Sequence, residues 1–174
     1  LQLYGEKDVP LPENLARWTG RPTIVACPGS SWCPRGLANS REAADAIFET
    51  SAHRKGLQIS ISGCPNNCAH AAIANIGLIG AVRRREGERV EHFRLMAGAD
   101  RARSAQMGRT LHRAIPVGEL PRAIQWLREE YDRYADKATD QSFADFIRRE
   151  GDRLEIAVRV PAGVAMGAGI HSLI

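Results

Sequence analysis

A chain of 174 residues, 44% hydrophobic and 25% charged, carries enough apolar material for one domain with its own core. No apolar run approaches the roughly 20 residues that cross a bilayer, and the N-terminus lacks a charged-then-apolar leader, so a cytoplasmic protein with no membrane partner is expected. The net charge of +4 is dispersed except at Arg83-Arg84-Arg85, and no zinc-finger spacing or aromatic-interleaved basic strip points to nucleic acid.

The stretch before Thr23 contains proline and is weakly periodic, and the first residue is Leu, not Met. Residues 1–22 are therefore expected to be a linker or arm, and the chain one module of something longer. Thr23 to Ala26 is a β-branched run ending at Cys27, which predicts a strand feeding the loop Cys-Pro-Gly-Ser-Ser-Trp-Cys. Pro34 suits a first helical turn, and Leu37, Ala38, Ala43, Ala44, Ile47 and Phe48 follow at helical spacing. Gly56 closes this unit, after which the pattern repeats. Leu57 to Ser62 alternates Leu or Ile with Gln or Ser and predicts a strand with one buried face. Gly63 and Cys64 end it, Pro65 opens a turn, and Cys68 to Ala74 is Ala-rich and helix-compatible.

Ile76 to Val82 is the next predicted strand, with Gly87 as its turn and His92 to Met96 as its antiparallel partner. The Arg83–Arg85 run is expected to be a solvated, Arg-rich turn. Gly98 to Gly108 reads as a polar loop. Val117 to Tyr134 is an amphipathic helix by the spacing of Leu120, Ile124, Leu127 and Tyr131, with Glu119 in its first turn. Phe143 to Ile147 predicts a short helix, and the Gly- and Ala-rich tail from Val160 a loose end. The expected fold class is α/β (α+β): a mixed sheet flanked by helices, with cysteine loops at strand-to-helix junctions. Residues 23–150 form the expected domain and 151–174 its tail.

The chemistry sits in the cysteines. All four fall in two pairs, Cys27-x5-Cys33 and Cys64-x3-Cys68, each where a predicted strand ends. Disulfides are disfavoured in a cytoplasmic chain. A structural zinc site uses tighter spacings than the first pair, and unliganded core cysteines are a further reading. A [4Fe–4S] cluster needs four thiolates and tolerates wider loops, so it leads. Gly29, Ser30, Ser31, Gly63, Asn66 and Asn67 are small or turn-forming and let backbone amides approach the sulfurs.

The first pair, followed by Gly-Cys-Pro-Asn-Asn-Cys at residues 63–68 and Ala-Asn-Ile-Gly-Leu-Ile-Gly at 74–80, resembles the siroheme-dependent nitrite and sulfite reductase family. The resemblance covers roughly Thr23 to Tyr134. It implies that Cys27, Cys33, Cys64 and Cys68 hold a [4Fe–4S] cluster and that Cys68 is also the axial thiolate of siroheme. The implied reaction is reduction of nitrite to ammonia or of sulfite to sulfide, the cofactors carrying the electron chemistry. Asn66 and Asn67 either donate amide hydrogen bonds near the cofactors or only form the tight turn. Trp32 either shields the cofactors or packs in the core, and His70 is expected to face solvent from a helix.

Only the cluster-bearing C-terminal half of the family is matched. The catalytic residues that bind the small anion are therefore expected outside this chain, in a missing N-terminal half. Ala97 departs from a paired-glycine position of the family. Expected partners are that missing half and an electron donor such as ferredoxin or a flavoprotein. No Gly-rich nucleotide fingerprint places a nicotinamide or flavin within the chain. Two other functions share the motif: a non-catalytic iron–sulfur electron-transfer module, and the oxygen-dependent ring-contracting enzyme of the cobalamin pathway.

Overall fold

A computed structural model describes residues 23–50, 57–100, 106–134 and 142–157. Strands β1 (Thr23–Ala26), β2 (Gln58–Ser62), β3 (Ile76–Arg85), β4 (Glu88–Ala97) and β5 (Arg109–Pro116) form one sheet in sequence order. β1, β2 and β3 run parallel, and β3–β4–β5 is an antiparallel meander, so the expected mixed sheet is present. The β3–β4 hairpin turns at Glu86 and Gly87, both at positive φ (54° and 85°), the geometry that matches strand twist in a two-residue loop.

Three helices complete the fold: α1 (Ser40–Thr50), α2 (Leu120–Tyr134) and α3 (Phe143–Ala157). α1 packs on β1, β2 and α2, while α3 packs on β5 and α2. Their apolar stripes meet Ile59 and Ile61 of β2, Ile76 and Leu78 of β3, and Phe93 and Leu95 of β4 in one buried core. Tyr131 stands edge-on to Phe143 with ring centroids 5.1 Å apart, which locks α2 to α3. Ile79 and Met96, on the opposite sheet face, pack with Ala71 and Ala72 in a smaller cluster.

Several boundaries differ from the sequence expectation, each for a local reason. The first helix begins at Ser40, not at Pro34, because the N–H groups of Leu37 and Ala38 both donate to the Gly63 carbonyl, at 2.9 Å, rather than entering a helix. Asn39 caps it, its Oδ1 accepting the Glu42 N–H at 3.3 Å. β2 is buried on both faces, not one: Ser60 and Ser62 are enclosed, and their hydroxyls accept from Gln58 Nε2 (3.3 Å) and Ala69 N–H (3.1 Å). The Cys68–Ala74 stretch forms only a 3-10 turn, Ala71–Ile73, because His70 is left-handed at φ 56° and breaks any helix before it. β5 was not expected from the sequence: its ladder with β4 is bulged around Phe93, Leu95 and Met96, which blurs the two-residue alternation that would reveal a strand. The helix expected at Phe143–Ile147 runs on to Ala157, burying Leu154 as well, and so passes residue 150. Arg83 and Arg84 are exposed as expected but lie in β3, with the turn after them. Gly56, the arm 1–22 and the tail from Val160 lie outside the described residues. Among the described residues no helix is long and apolar enough to cross a membrane.

An ionic clamp closes α2 onto α3. Arg153 donates to Glu130 at 2.7 Å and Glu150 at 2.9 Å, and its guanidinium lies 4.5 Å from the Tyr134 ring centre. Glu130 is buried, and Arg153 and Arg133 supply its partners there. The Glu150 carboxyl is held below its ordinary range by the Arg153 hydrogen bond, which with Arg149 outweighs the opposing effect of burial. A carboxyl depressed in the folded state stabilises above its unfolded pKa and loses that contribution as pH falls through the folded value. Arg153→Ala is expected to cost about 1–2 kcal/mol at neutral pH, Arg133 still serving Glu130. The difference from the parent should shrink in acid, which urea unfolding at neutral pH and below the carboxylate range will measure.

Candidate metal centre

The cysteines lie on two loops that leave the carboxyl ends of adjacent parallel strands. Ala26 and Ile61 are register partners, and Cys27 N–H continues the ladder to the Ile61 carbonyl at 3.0 Å. Both loops therefore start side by side at one sheet edge, as the strand–Cys repeat predicts.

Hydrogen bonds close the first loop on itself: Ser30 N–H to Ala38 O (3.0 Å), Cys33 N–H to Gly29 O (2.9 Å) and Gly36 N–H to Cys33 O (2.8 Å). It then lies directly on the second loop. A Cβ on Gly63 would stand 2.7 Å from the Ala38 carbonyl oxygen and 2.8 Å from Gly29 Cα, and one on Gly80 would strike the Gly63 carbonyl. Only a surface without side chains permits that approach.

The close approach brings Gly63 N–H within 3.1 Å of Cys27 Sγ. Ser40 Oγ, at the start of α1, is 3.5 Å from the same sulfur and donates to the Cys27 carbonyl at 2.6 Å. Burial pushes the Cys27 thiol up, but the hydrogen bond from Gly63, with the contacts to Ser40 and the loop backbone, outweighs it and leaves the pKa lowered. The thiolate is the form that binds metals, and this environment favours it at Cys27.

Cys64 is buried, Cys27 and Cys33 are half-buried, and Cys68 is exposed; all four are free thiols. The loops are adjacent, yet among the described residues no three His, Cys, Asp or Glu side chains are gathered tightly enough to hold a single metal ion. Asn67 takes the turn role: it is left-handed at φ 57°, and its Oδ1 accepts the Ala72 N–H at 3.3 Å. Asn66 is exposed, and His70 is exposed but not helical. Trp32 is 75% exposed, which excludes the core-packing reading. With Cys27, Pro28, Arg41, Ala44 and Asp45 it lines an open cleft of about 580 Å³ beside the first loop. Sequence reasoning missed Ser40, thirteen residues from Cys27, and Glu91, which contacts the first loop from β4; neither falls in a cysteine motif.

The two cysteine loops thus lie side by side at the carboxyl edge of a mixed α/β sheet. The sequence profile of the nitrite and sulphite reductase 4Fe-4S domain matches residues 18–151, and the chain belongs to that family. It is 30% identical over 122 residues to the ferredoxin–nitrite reductase of Synechococcus elongatus, covering 68% of this chain and 23% of that protein. It is 28% identical to the assimilatory ferredoxin-dependent nitrite reductase of Haloferax mediterranei, over 83% of this chain and 25% of that one. The sulfite reductase [NADPH] hemoprotein beta-component of Xanthomonas euvesicatoria is 35% identical over 53% of this chain and 15% of its own. The chain thus spans a quarter or less of these relatives. The fold matches the Mycobacterium tuberculosis NirA protein with a TM-score of 0.65 at 23% identity, over 84% of this chain and 31% of that one. Dissimilatory sulfite reductase I matches with a TM-score of 0.62 at 14% identity, over 87% and 56%.

The cofactors of this family are a [4Fe–4S] cluster and siroheme. The donor set fits the first, because four thiols on two touching loops are the ligands a cubane takes. For the second, Cys68 is the one exposed thiol of the four.

Proposed function

We propose that this chain is the cluster-holding part of a siroheme-dependent reductase that converts nitrite to ammonia. Sulfite to sulfide is the alternative reaction; nitrite is favoured because the nitrite reductases align over more of the chain, 68% and 83% against 53%. The observation that carries the reading is the docking of the two cysteine loops through Gly63, whose N–H meets Cys27 Sγ and whose carbonyl accepts two N–H groups of the first loop.

In this reading Cys27, Cys33, Cys64 and Cys68 ligate the cluster, and Cys68 also faces the siroheme iron. When bound, the two cofactors would relay electrons from the donor to the anion. The chain's own residues hold the ligands: Gly63 and Ser40 favour the Cys27 thiolate, Asn67 fixes the turn carrying Cys68, and Trp32 with Arg41 borders the cofactor side of the first loop. The rest of the reductase supplies the residues that bind the anion. A ferredoxin or flavoprotein delivers electrons, and the enzyme works in the cytoplasm.

Air-free reconstitution of the full chain with iron and sulfide, followed by iron and acid-labile sulfide analysis, tests the reading. About four of each per chain are expected for one cubane. Stoichiometric zinc, or four inert thiols with no metal, would overturn it.

A further inference from the structure

We propose that Glu91 is a positioning residue of the cysteine centre: reaching from β4, its carboxylate pins both ends of the loop segment that contains Cys33. The inference rests on the reading of this loop as a ligand loop. Glu91 Oε2 accepts the Asn39 backbone N–H at 2.7 Å, and Oε1 accepts from the Ser30 hydroxyl at 3.2 Å. Ser30 and Asn39 stand on either side of the Ser30 N–H to Ala38 O bond that closes the loop, with Cys33 between them. Glu91 therefore bridges the two ends of one closed turn from a strand 52 and 61 residues away in sequence.

The geometry makes the Glu91 carboxylate a two-point tether. Its two oxygens serve two separate donors at once, and charge-assisted bonds of this kind are short and directional. The Gly29, Gly63 and Gly80 surfaces let the loop lie close on the second loop, and Gly63 holds it there through Leu37 and Ala38. Glu91, opposite Val82 in the β3–β4 ladder, is the contact that fixes its far side.

The test uses Glu91→Ala, Glu91→Gln and, as a control on the same strand, Glu88→Ala, each in the full chain. In the metal-free chain, alkylation of each cysteine is timed by peptide mass spectrometry alongside the thermal unfolding midpoint. Glu91→Ala is expected to speed alkylation of Cys33 about tenfold, the effect of losing a charge-assisted bond, and to leave the already exposed Cys68 unchanged. Glu91→Gln keeps an acceptor for Asn39 and a partner for Ser30, so it should restore the parent rate; Glu88→Ala should match the parent. After reconstitution, Glu91→Ala should lose iron to a chelator faster in the same proportion. An unchanged Cys33 rate overturns the proposal, as does equal acceleration of all four thiols, which would mean general destabilisation. A parent chain that takes up no iron would defeat the ligand-loop reading, while the metal-free thiol rates would still decide whether Glu91 tethers the loop.

Discussion

Serine in place of Cys64, or of Cys68, is expected to reduce the iron of the reconstituted chain from about four per chain to below about one. Four thiolates are the complement of one cubane, and this chain has four cysteines in all. A lost thiolate could be replaced only by a side chain that binds iron less well, since the chain has no fifth cysteine. Cys64 is buried, where a serine hydroxyl is a poor thiolate substitute and solvent has little access. Cys68 is exposed, so its replacement leaves the corresponding iron open to water and to chelators. Metal analysis after desalting, with the visible charge-transfer absorption as a second readout, measures the loss. Near-complete iron in either variant would remove that cysteine from the ligand set.

Gly77→Ala should destabilise the fold by about 3 kcal/mol or more, at the upper end of the overpacking range. A Cβ at Gly77 would fall on the carbonyl oxygen of Ala71, far inside van der Waals contact. Both groups are main chain: Gly77 is laddered to Ser60 and Met96, and Ala71 opens the 3-10 turn that follows Cys68. Relief requires moving either the central strand or the segment bearing the second cysteine pair, so cluster retention should fall together with stability. Gly118→Ala is the matched control, since nothing lies within 4 Å of its added Cβ, and it should change the urea midpoint little. A Gly77→Ala chain with the parent midpoint would mean that the turn yields freely and does not brace the second loop.

The sequence by itself determined where the four thiols fall along the chain and the order of most of the major elements. Two strand–Cys–Pro units place four thiols on loops that follow neighbouring strands, while a β-branched run marks β1, an apolar run and Gly87 mark the β3–β4 hairpin, and helical spacing marks α2. Those signals are local: strand alternation, helical spacing, positive-φ turn residues and cysteine spacing all act within about ten residues. Tertiary structure decided what depended on distant main chain. α1 starts at Ser40 because Leu37 and Ala38 bond to Gly63, and Ser60 and Ser62 are buried because a second layer covers that face. β5 exists because β4 supplies a bulged partner for a segment whose own pattern is weak. At the site, the lowered Cys27 thiol pKa and the Glu91 tether come from groups 36 and 61 residues away, brought together by glycines whose missing side chains let two loops touch. Spacing can name a ligand, but the hydrogen bonds that prepare and position it are made between segments that only folding brings into contact.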